Sequence, residues 1–137
     1  MGEDFHILKL EHIGIAVRSI AEQGKAWQTM LGLNMEGIKE LPEQKIKVAI
    51  FRISELHIEL IEPMDESSPV YHFIEKRGGG LHHLCFEVDD IETALAHLKR
   101  GGAHLIDEKP RPGAWAKKIA FIHPRSMGGV LVELCEH

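Results

Sequence analysis

The sequence predicts an α+β fold in which two tandem βαβββ modules form a curved mixed sheet around a cleft, with the helices outside. Two pairs of similar segments within the chain predict this fold. The segment EHIGIAV from Glu11 resembles HHLCFEV from His82, and HIELIE from His57 resembles LVELCE from Leu131. Matches recurring at this separation are typical of duplicated supersecondary units. A length of 137 residues fits one domain. We expect a single domain over residues 1–137, with modules at about 8–63 and 81–137 and a connector at about 64–80.

The first module is predicted from local patterns in chain order. The run from His12 to Val17 alternates and is rich in β-branched residues, which indicates a strand. A helical pattern follows from about Ser19 to Leu31 and ends at Gly32. The runs 46–53 and 56–61 then predict a hairpin, which Pro63 ends. The connector contains a predicted short helix over residues 70–76, before the glycines 78–80.

The second module repeats this order. We expect a strand over residues 81–88, and then a helix over residues 91–100 that Asp90 caps and that Gly101 ends. A short strand near residues 104–106 and a closing pair over residues 117–123 and 130–135 complete it. The sequence therefore predicts a strand, a helix and about three more strands in each half.

Composition narrows the class of protein. The formal net charge is −5, with basic residues scattered among acidic ones, so a nucleic-acid partner is not expected. An apolar run near the roughly 20 residues that cross a bilayer is absent, as is a signal-peptide pattern, so we expect no membrane partner. The only cysteines, Cys85 and Cys135, form neither a CxxC motif nor a disulfide framework, which favours the reducing cytoplasm.

Four polar residues recur at matching places in the two halves and form the candidate metal site. His12 and His83 open apolar strands, while Glu59 and Glu133 lie within apolar closing strands at nearly equal separations from them. Side chains alternate across a strand, so only one glutamate of each ELxE segment faces inward. A carboxylate there is costly unless it is paired or bound to an ion. Two imidazoles and two carboxylates suit a divalent ion such as cobalt, zinc, nickel, manganese or iron. A buried salt bridge is the alternative.

Five sequence blocks resemble the vicinal oxygen chelate superfamily, and within it most closely the methylmalonyl-CoA epimerases. The blocks are EHIGIAV, LPEQKIKVAIF, IELIEPMDESSP, GGLHHLCFEVDDI and FIHPRSMGGVLVEL, which begin at Glu11, Leu41, Ile58, Gly79 and Phe121. The doubled His82-His83 and the stretch from His123-Pro124 to Glu133 are the most discriminating. The resemblance implies a metal-dependent isomerase acting on an acyl-CoA, and a homodimer.

The resemblance also implies roles for particular residues. His12, His83 and Glu133 correspond to metal ligands, and Glu59 to a fourth, more variable ligand. Some epimerases have a glutamate, proposed as the base, where this chain has Val48. We therefore take Glu133 and Glu59 as the candidate proton carriers. Three basic residues near the second-half loops are candidate contacts for the CoA phosphates: Lys117, Lys118 and Arg125.

Other functions of the same fold stay open at this point. A glyoxalase-like lyase or isomerase acting on a hemithioacetal would use the same four ligands. A non-catalytic binding or resistance protein would have little need for four inward ligands. An extradiol dioxygenase would bind iron through two histidines and one glutamate, usually in a longer chain.

Overall fold

A computed structural model of the chain describes residues 4–137. Its elements in chain order are β1 (Ile7–Ala16), α1 (Ile20–Lys25), β2 (Met35–Leu41), β3 (Ile46–Ile53), β4 (Leu56–Pro63), α2 (Pro69–Arg77), β5 (Gly80–Val88), α3 (Ile91–Arg100), β6 (Lys118–Ile122) and β7 (Leu131–Glu136). These residues divide into two compact units. We call residues 12–82 the first unit, and residues 4–11 with 83–137 the second unit.

The first unit contains four adjacent strands in the order β2-β3-β4-β1. β1 is parallel to β4, and the other neighbours are antiparallel. Apolar side chains cover both faces of these strands. Val17 and Ile20 pack on one face against Ala49, Phe51 and Leu60. Residues of α2 pack with Ala16, Val48 and Ile61 in a second cluster.

The second unit contains the strand order β5-β7-β6, with β5 parallel to β7 and β6 antiparallel to it. Helix α3 buries Ile91, Ala94 and Leu95 against Ala120 and Leu134, among other apolar side chains of this cluster. The opposite strand face carries a smaller buried cluster, which contains Cys85, Ile119 and Cys135. The predicted fold class, α+β with mixed strand pairing, is confirmed.

Matching hydrogen bonds begin the first helix of each unit. The Ser19 hydroxyl accepts the Glu22 N–H, and the Asp90 carboxylate accepts the Thr93 N–H. A glutamate at the end of the closing strand also accepts a backbone N–H: Ile20 donates to Glu62 at 2.7 Å, and Ile91 donates to Glu136 at 2.8 Å. Each carboxylate therefore satisfies a helical N–H that has no partner within the helix.

The structure corrects four of the predicted elements. The first strand begins at Ile7 rather than at His12. The first helix is α-helical only to Lys25 and continues as a π-helical turn, Ala26–Met30. β4 continues to Pro63, which pairs with Ile46 at the strand end, where the missing N–H of proline is tolerated. The strand near residues 104–106 is wrong: among the described residues this stretch forms only an isolated bridge between Leu105 and Ile122.

The hydrogen bonds of the 104–107 segment explain the last correction. The N–H groups of Ile106 and Asp107 both donate to the Phe121 carbonyl, at 3.0 and 3.2 Å. A regular ladder cannot continue when two successive donors share one acceptor. The helices within residues 4–137 are all too short or too polar to span a bilayer.

Candidate functional site

The first unit holds a buried histidine–glutamate pair on strands β1 and β4. His12 Nδ1 lies 3.5 Å from Glu59 Oε2, and the two side chains are 9% and 7% exposed. In the parallel register, Gly14 is the neighbour of Glu59, so no side chain on β1 stands directly beside the carboxylate. The β-strand alternation that buries Glu59 turns Glu62 to the other face, where it contacts α1.

The second unit holds the corresponding pair on strands β5 and β7. His83 Nε2 lies 3.1 Å from Glu133 Oε1, and the side chains are 6% and 9% exposed. Cys85 occupies the position that corresponds to Gly14, beside Glu133 in the register. Phe121 is opposite Glu133 on β6, and its ring meets the His83 ring edge-on at 5.9 Å.

Each pair has donor atoms and spacing that fit a metal ion. A nitrogen or oxygen ligand lies about 2.0–2.2 Å from a divalent zinc, so two ligands of one ion are roughly 3.0–3.5 Å apart. The measured separations of 3.1 and 3.5 Å fall within this range. Because burying a carboxylate costs free energy, each pair also stabilises its own glutamate without an ion.

The buried thiol of Cys85 lies beside the second pair. Hydrogen bonding with Cys135 and burial both raise the pKa of the Cys85 thiol, and the Glu133 carboxylate adds to this effect. Cys85 is therefore a protonated thiol at neutral pH, and a protonated thiol is a poor nucleophile. Its side chain packs against Ile119 and Cys135.

The position corresponding to the base of some epimerases carries no proton-transfer group in this chain. Val48 pairs with Ile61 on β4, two residues from Glu59 on the same strand face. Its side chain is 1% exposed and packs in the cluster with Val70 and Ile74 of α2. Any proton transfer must therefore use other residues.

The three basic candidates are not brought together. Lys117 and Lys118 lie at the start of β6, whereas Arg125 is in the 3-10 turn Pro124–Ser126 after its end. A five-residue strand separates them by roughly 16 Å. Lys118 Nζ contacts Glu92 Oε1 at 2.9 Å, and this carboxylate raises the pKa of Lys118.

Sequence reasoning missed two features near the second pair. Arg111 lies over the Phe121 ring, with its guanidinium carbon 5.5 Å from the ring centroid. Asp107 holds it in place: one carboxylate oxygen lies 3.3 Å from Arg111 Nε, and the other accepts the Phe121 N–H at 2.9 Å. These contacts depend on the path of the 107–117 segment, which no local sequence pattern predicts. The helix contacts of Glu62 and Glu136 were also missed, although the repeated ELxE segment was a signal for them.

Comparison with known proteins places this chain in a family. Residues 11–121 match the model of the Glyoxalase/Bleomycin resistance protein/Dioxygenase superfamily. The chain belongs to this superfamily.

Similar proteins identify the family within this superfamily. The chain is 34% identical to the mitochondrial methylmalonyl-CoA epimerase of Homo sapiens, over 97% of this chain and 76% of the relative. It is 35% identical to an ethylmalonyl-CoA/methylmalonyl-CoA epimerase of Cereibacter sphaeroides, over 92% and 96%. The crystal structure of methylmalonyl-CoA epimerase from Mycobacterium tuberculosis superposes with a TM-score of 0.87 at 34% identity, over 95% and 88%. Within the superfamily, the chain belongs to the methylmalonyl-CoA epimerase family of enzymes.

Proposed function

We propose that this protein epimerises methylmalonyl-CoA at C2 with the help of one divalent metal ion. The observation that carries the proposal is the repeated buried pair: each unit holds a histidine nitrogen and a glutamate oxygen at 3.1–3.5 Å. A structural salt bridge needs no such repetition at corresponding positions. The family of the chain supplies the substrate class, since its relatives are named for this thioester.

The proposed metal ligands are His12 and Glu59 from the first unit, and His83 and Glu133 from the second. When bound, a divalent ion supplies Lewis-acid stabilisation of the negative charge that develops on the thioester oxygen. The ligand side chains are at most 9% exposed within the described structure, so an ion held by them would lie in a site with little water, where its charge acts more strongly.

Glu133 and Glu59 are the proposed proton carriers. Epimerisation removes the C2 proton from one face and returns a proton to the other, which needs two groups or one mobile group. Val48 cannot serve, because its side chain has no titratable group. A carboxylate that binds an ion is a weaker base, so one of the two glutamates has to bind the ion loosely during turnover.

The CoA part of the substrate needs cationic contacts. Lys117 and Lys118 are proposed to contact its phosphates from the start of β6. Arg125 lies beyond the other end of this strand and would meet a different part of the ligand. These contacts would position the thioester without taking part in the proton transfer.

The test is an epimerase assay on (2R)- and (2S)-methylmalonyl-CoA with purified, metal-stripped and metal-restored protein. We expect interconversion that is lost on stripping and recovered on addition of a divalent ion. The hemithioacetal of methylglyoxal and glutathione serves as the control substrate. Turnover of the hemithioacetal alone would replace this function with a glyoxalase activity, and activity of fully stripped protein would remove the metal from the mechanism.

Three finer parts of the proposal have their own measurements. Elemental analysis of purified protein identifies the ion, which we expect to be cobalt, zinc, nickel or manganese. Light scattering measures the mass in solution, which we expect to be that of a homodimer. Fractionation of the source cells tests the proposed cytoplasmic location.

A further inference from the structure

A groove lies in the second unit between helix α3 and the segment 108–118. It has a volume of about 680 Å³. Its residues all belong to the second unit, and they include part of the helix surface and the strand start that precedes Phe121. Pockets that hold small molecules usually have volumes of about 300–1,000 Å³. The groove is therefore large enough for a nucleotide-sized ligand.

The charge of the groove is opposite to that of the chain. Five cationic side chains line it, namely Lys99, Lys109, Arg111, Lys117 and Lys118, against the two carboxylates Glu92 and Glu108. The chain as a whole has a formal net charge of −5. A local excess of positive charge on an acidic protein attracts anions to that place.

Ion pairs leave part of this positive charge available. Lys99 contacts Glu108 at 2.9 Å, and Lys118 contacts Glu92 at 2.9 Å. Within residues 4–137, by contrast, neither Lys109 nor Lys117 has a carboxylate within ion-pair distance. Both side chains are exposed. They are the two groove cations best placed to bind an anionic ligand.

The groove also has an apolar wall. Leu95 and Ala96 of α3 line it, together with Pro110 and Pro112 from the opposing segment. Aliphatic carbon and proline rings form a surface on which a flat heterocycle can lie. The lining therefore combines apolar contact area with a small number of charged groups, which is the usual composition of a ligand site.

Arg111 connects the groove with the metal-ligand pair of the same unit. It lines the groove and lies over Phe121, whose ring is in contact with that of His83. Two successive side-chain contacts thus lead from the groove to the His83–Glu133 pair. A ligand whose reacting group is at the pair and whose anionic group is in the groove would need a flexible arm between them.

We infer that this groove binds the phosphorylated adenosine end of an acyl-CoA, with Lys109 and Lys117 on the phosphates and the adenine ring against the Leu95 and proline wall. The inference rests on the proposed function, because that function supplies the CoA thioester. It extends the site by Lys109, Arg111 and an adenine surface. The pantetheine arm of CoA supplies the flexible connection.

The experiment measures the affinity of free CoA, which has no acyl group and cannot turn over. Calorimetric titrations compare the unchanged protein, the double variant Lys109→Glu/Lys117→Glu and the matched control Lys25→Glu/Lys76→Glu, which reverses two exposed lysines outside the groove. We expect the groove variant to weaken CoA binding about tenfold or more, since each reversal turns an attraction into a repulsion. The control is expected to change affinity less than threefold, and both variants are checked for native circular dichroism.

The outcomes separate this inference from the proposed function. Equal affinity for the unchanged protein and the groove variant, equal weakening in both variants, or no CoA binding to the unchanged protein would overturn it. Selective loss of binding in the groove variant supports it even if the epimerase assay is negative. Conversely, an active epimerase with unaltered CoA affinity in the groove variant would leave the proposed epimerisation standing but would exclude the groove, and Lys117 with it, as the CoA-binding site.

Discussion

The closing strands of the two units carry the same tetrapeptide plan with one difference. β4 contains Glu59-Leu60-Ile61-Glu62, and β7 contains Glu133-Leu134-Cys135-Glu136. In each strand the first glutamate is buried beside a histidine, the leucine is buried beneath a helix, and the last glutamate accepts the first helical N–H. The third residue differs: Ile61 packs with α2, whereas Cys135 packs with Cys85.

This comparison separates the features that the two units share from those in which they differ. The parts that hold a candidate ligand and start a helix are the same in both units. The surroundings of the ligand differ, because α2 residues pack on that strand face in the first unit, whereas small thiols, Phe121 and Arg111 surround it in the second. We therefore propose that metal ligands come from both units and that the second unit makes more of the substrate contacts.

The largest expected effect tests whether the two glutamates are equivalent. We expect Glu133→Gln and Glu59→Gln each to lower the rate of epimerisation by about 10²–10⁴-fold, because each removes a proton carrier. If they act on opposite faces, each variant still exchanges the C2 proton of one epimer with solvent deuterium without inverting it. The measurement is deuterium incorporation into each epimer, with elemental analysis to show that the ion is retained. Metal-loaded Glu133→Gln that exchanges both epimers at the normal rate would exclude Glu133 as a base.

Local signals were sufficient to predict much of the fold. The bounds of α3 follow from Asp90 at its start and the glycines after its end, and the structure gives the same range, Ile91–Arg100. The sequence predicts too long a first α-helix, because residues 26–30 do not distinguish an α-helical turn from a π-helical one. The predicted strand at 104–106 is wrong because a strand there depends on hydrogen bonds with carbonyls of β6, which is distant in the sequence.

The sequence likewise predicts one part of the candidate site and not the other. Strand alternation allows one glutamate of each segment to face inward, and the apolar neighbours of Glu59 and Glu133 favour these two over the glutamates at the strand ends. The structure buries both. The surroundings of the second pair could not be predicted. Arg111 reaches Phe121 only because the 107–117 segment turns back along β6, where Arg111 and Ile119 bridge.

The next effect tests whether the leucines of the two tetrapeptides are equally important. Leu60 is 0% and Leu134 3% exposed. We expect Leu60→Ala and Leu134→Ala each to lower the free energy of unfolding by about 2–5 kcal/mol, through lost burial and the cavity left behind. Urea unfolding measures both, with Leu31→Ala as the control, since Leu31 is 65% exposed. A cost near that of the control in one unit would show that its helix packs loosely.

A smaller effect tests the glutamates that contact the helices. Glu62 and Glu136 accept N–H groups at nearly the same distance, 2.7 and 2.8 Å, in part-buried positions. We expect Glu62→Ala and Glu136→Ala each to cost about 1–2 kcal/mol, since a charged acceptor for a helical N–H is lost. Urea unfolding is again the measurement, and Glu40→Ala, on the exposed part of β2, is the control. Costs that differ by more than twofold would contradict the equivalence of the two contacts.

The smallest effect distinguishes the helix caps by their dependence on pH. Asp90 accepts the N–H and the hydroxyl of Thr93, and these hydrogen bonds hold the pKa of Asp90 below its usual value. A carboxyl group whose pKa is lower in the folded state stabilises the fold above its unfolded pKa, near 3.9, and this stabilisation is lost as pH falls through the folded pKa. The Ser19 hydroxyl that caps α1 does not titrate in this range.

Thermal unfolding midpoints between pH 7 and pH 2.5 measure this difference. We expect Asp90→Ala to lower the midpoint at pH 7 and to approach that of the unchanged protein at the acidic end. Ser19→Ala is the matched control, and its deficit is expected to stay nearly constant across the range. An Asp90→Ala deficit that is equally constant would mean that the cap of α3 acts without its charge, as the cap of α1 does, and that the two helices begin in the same way.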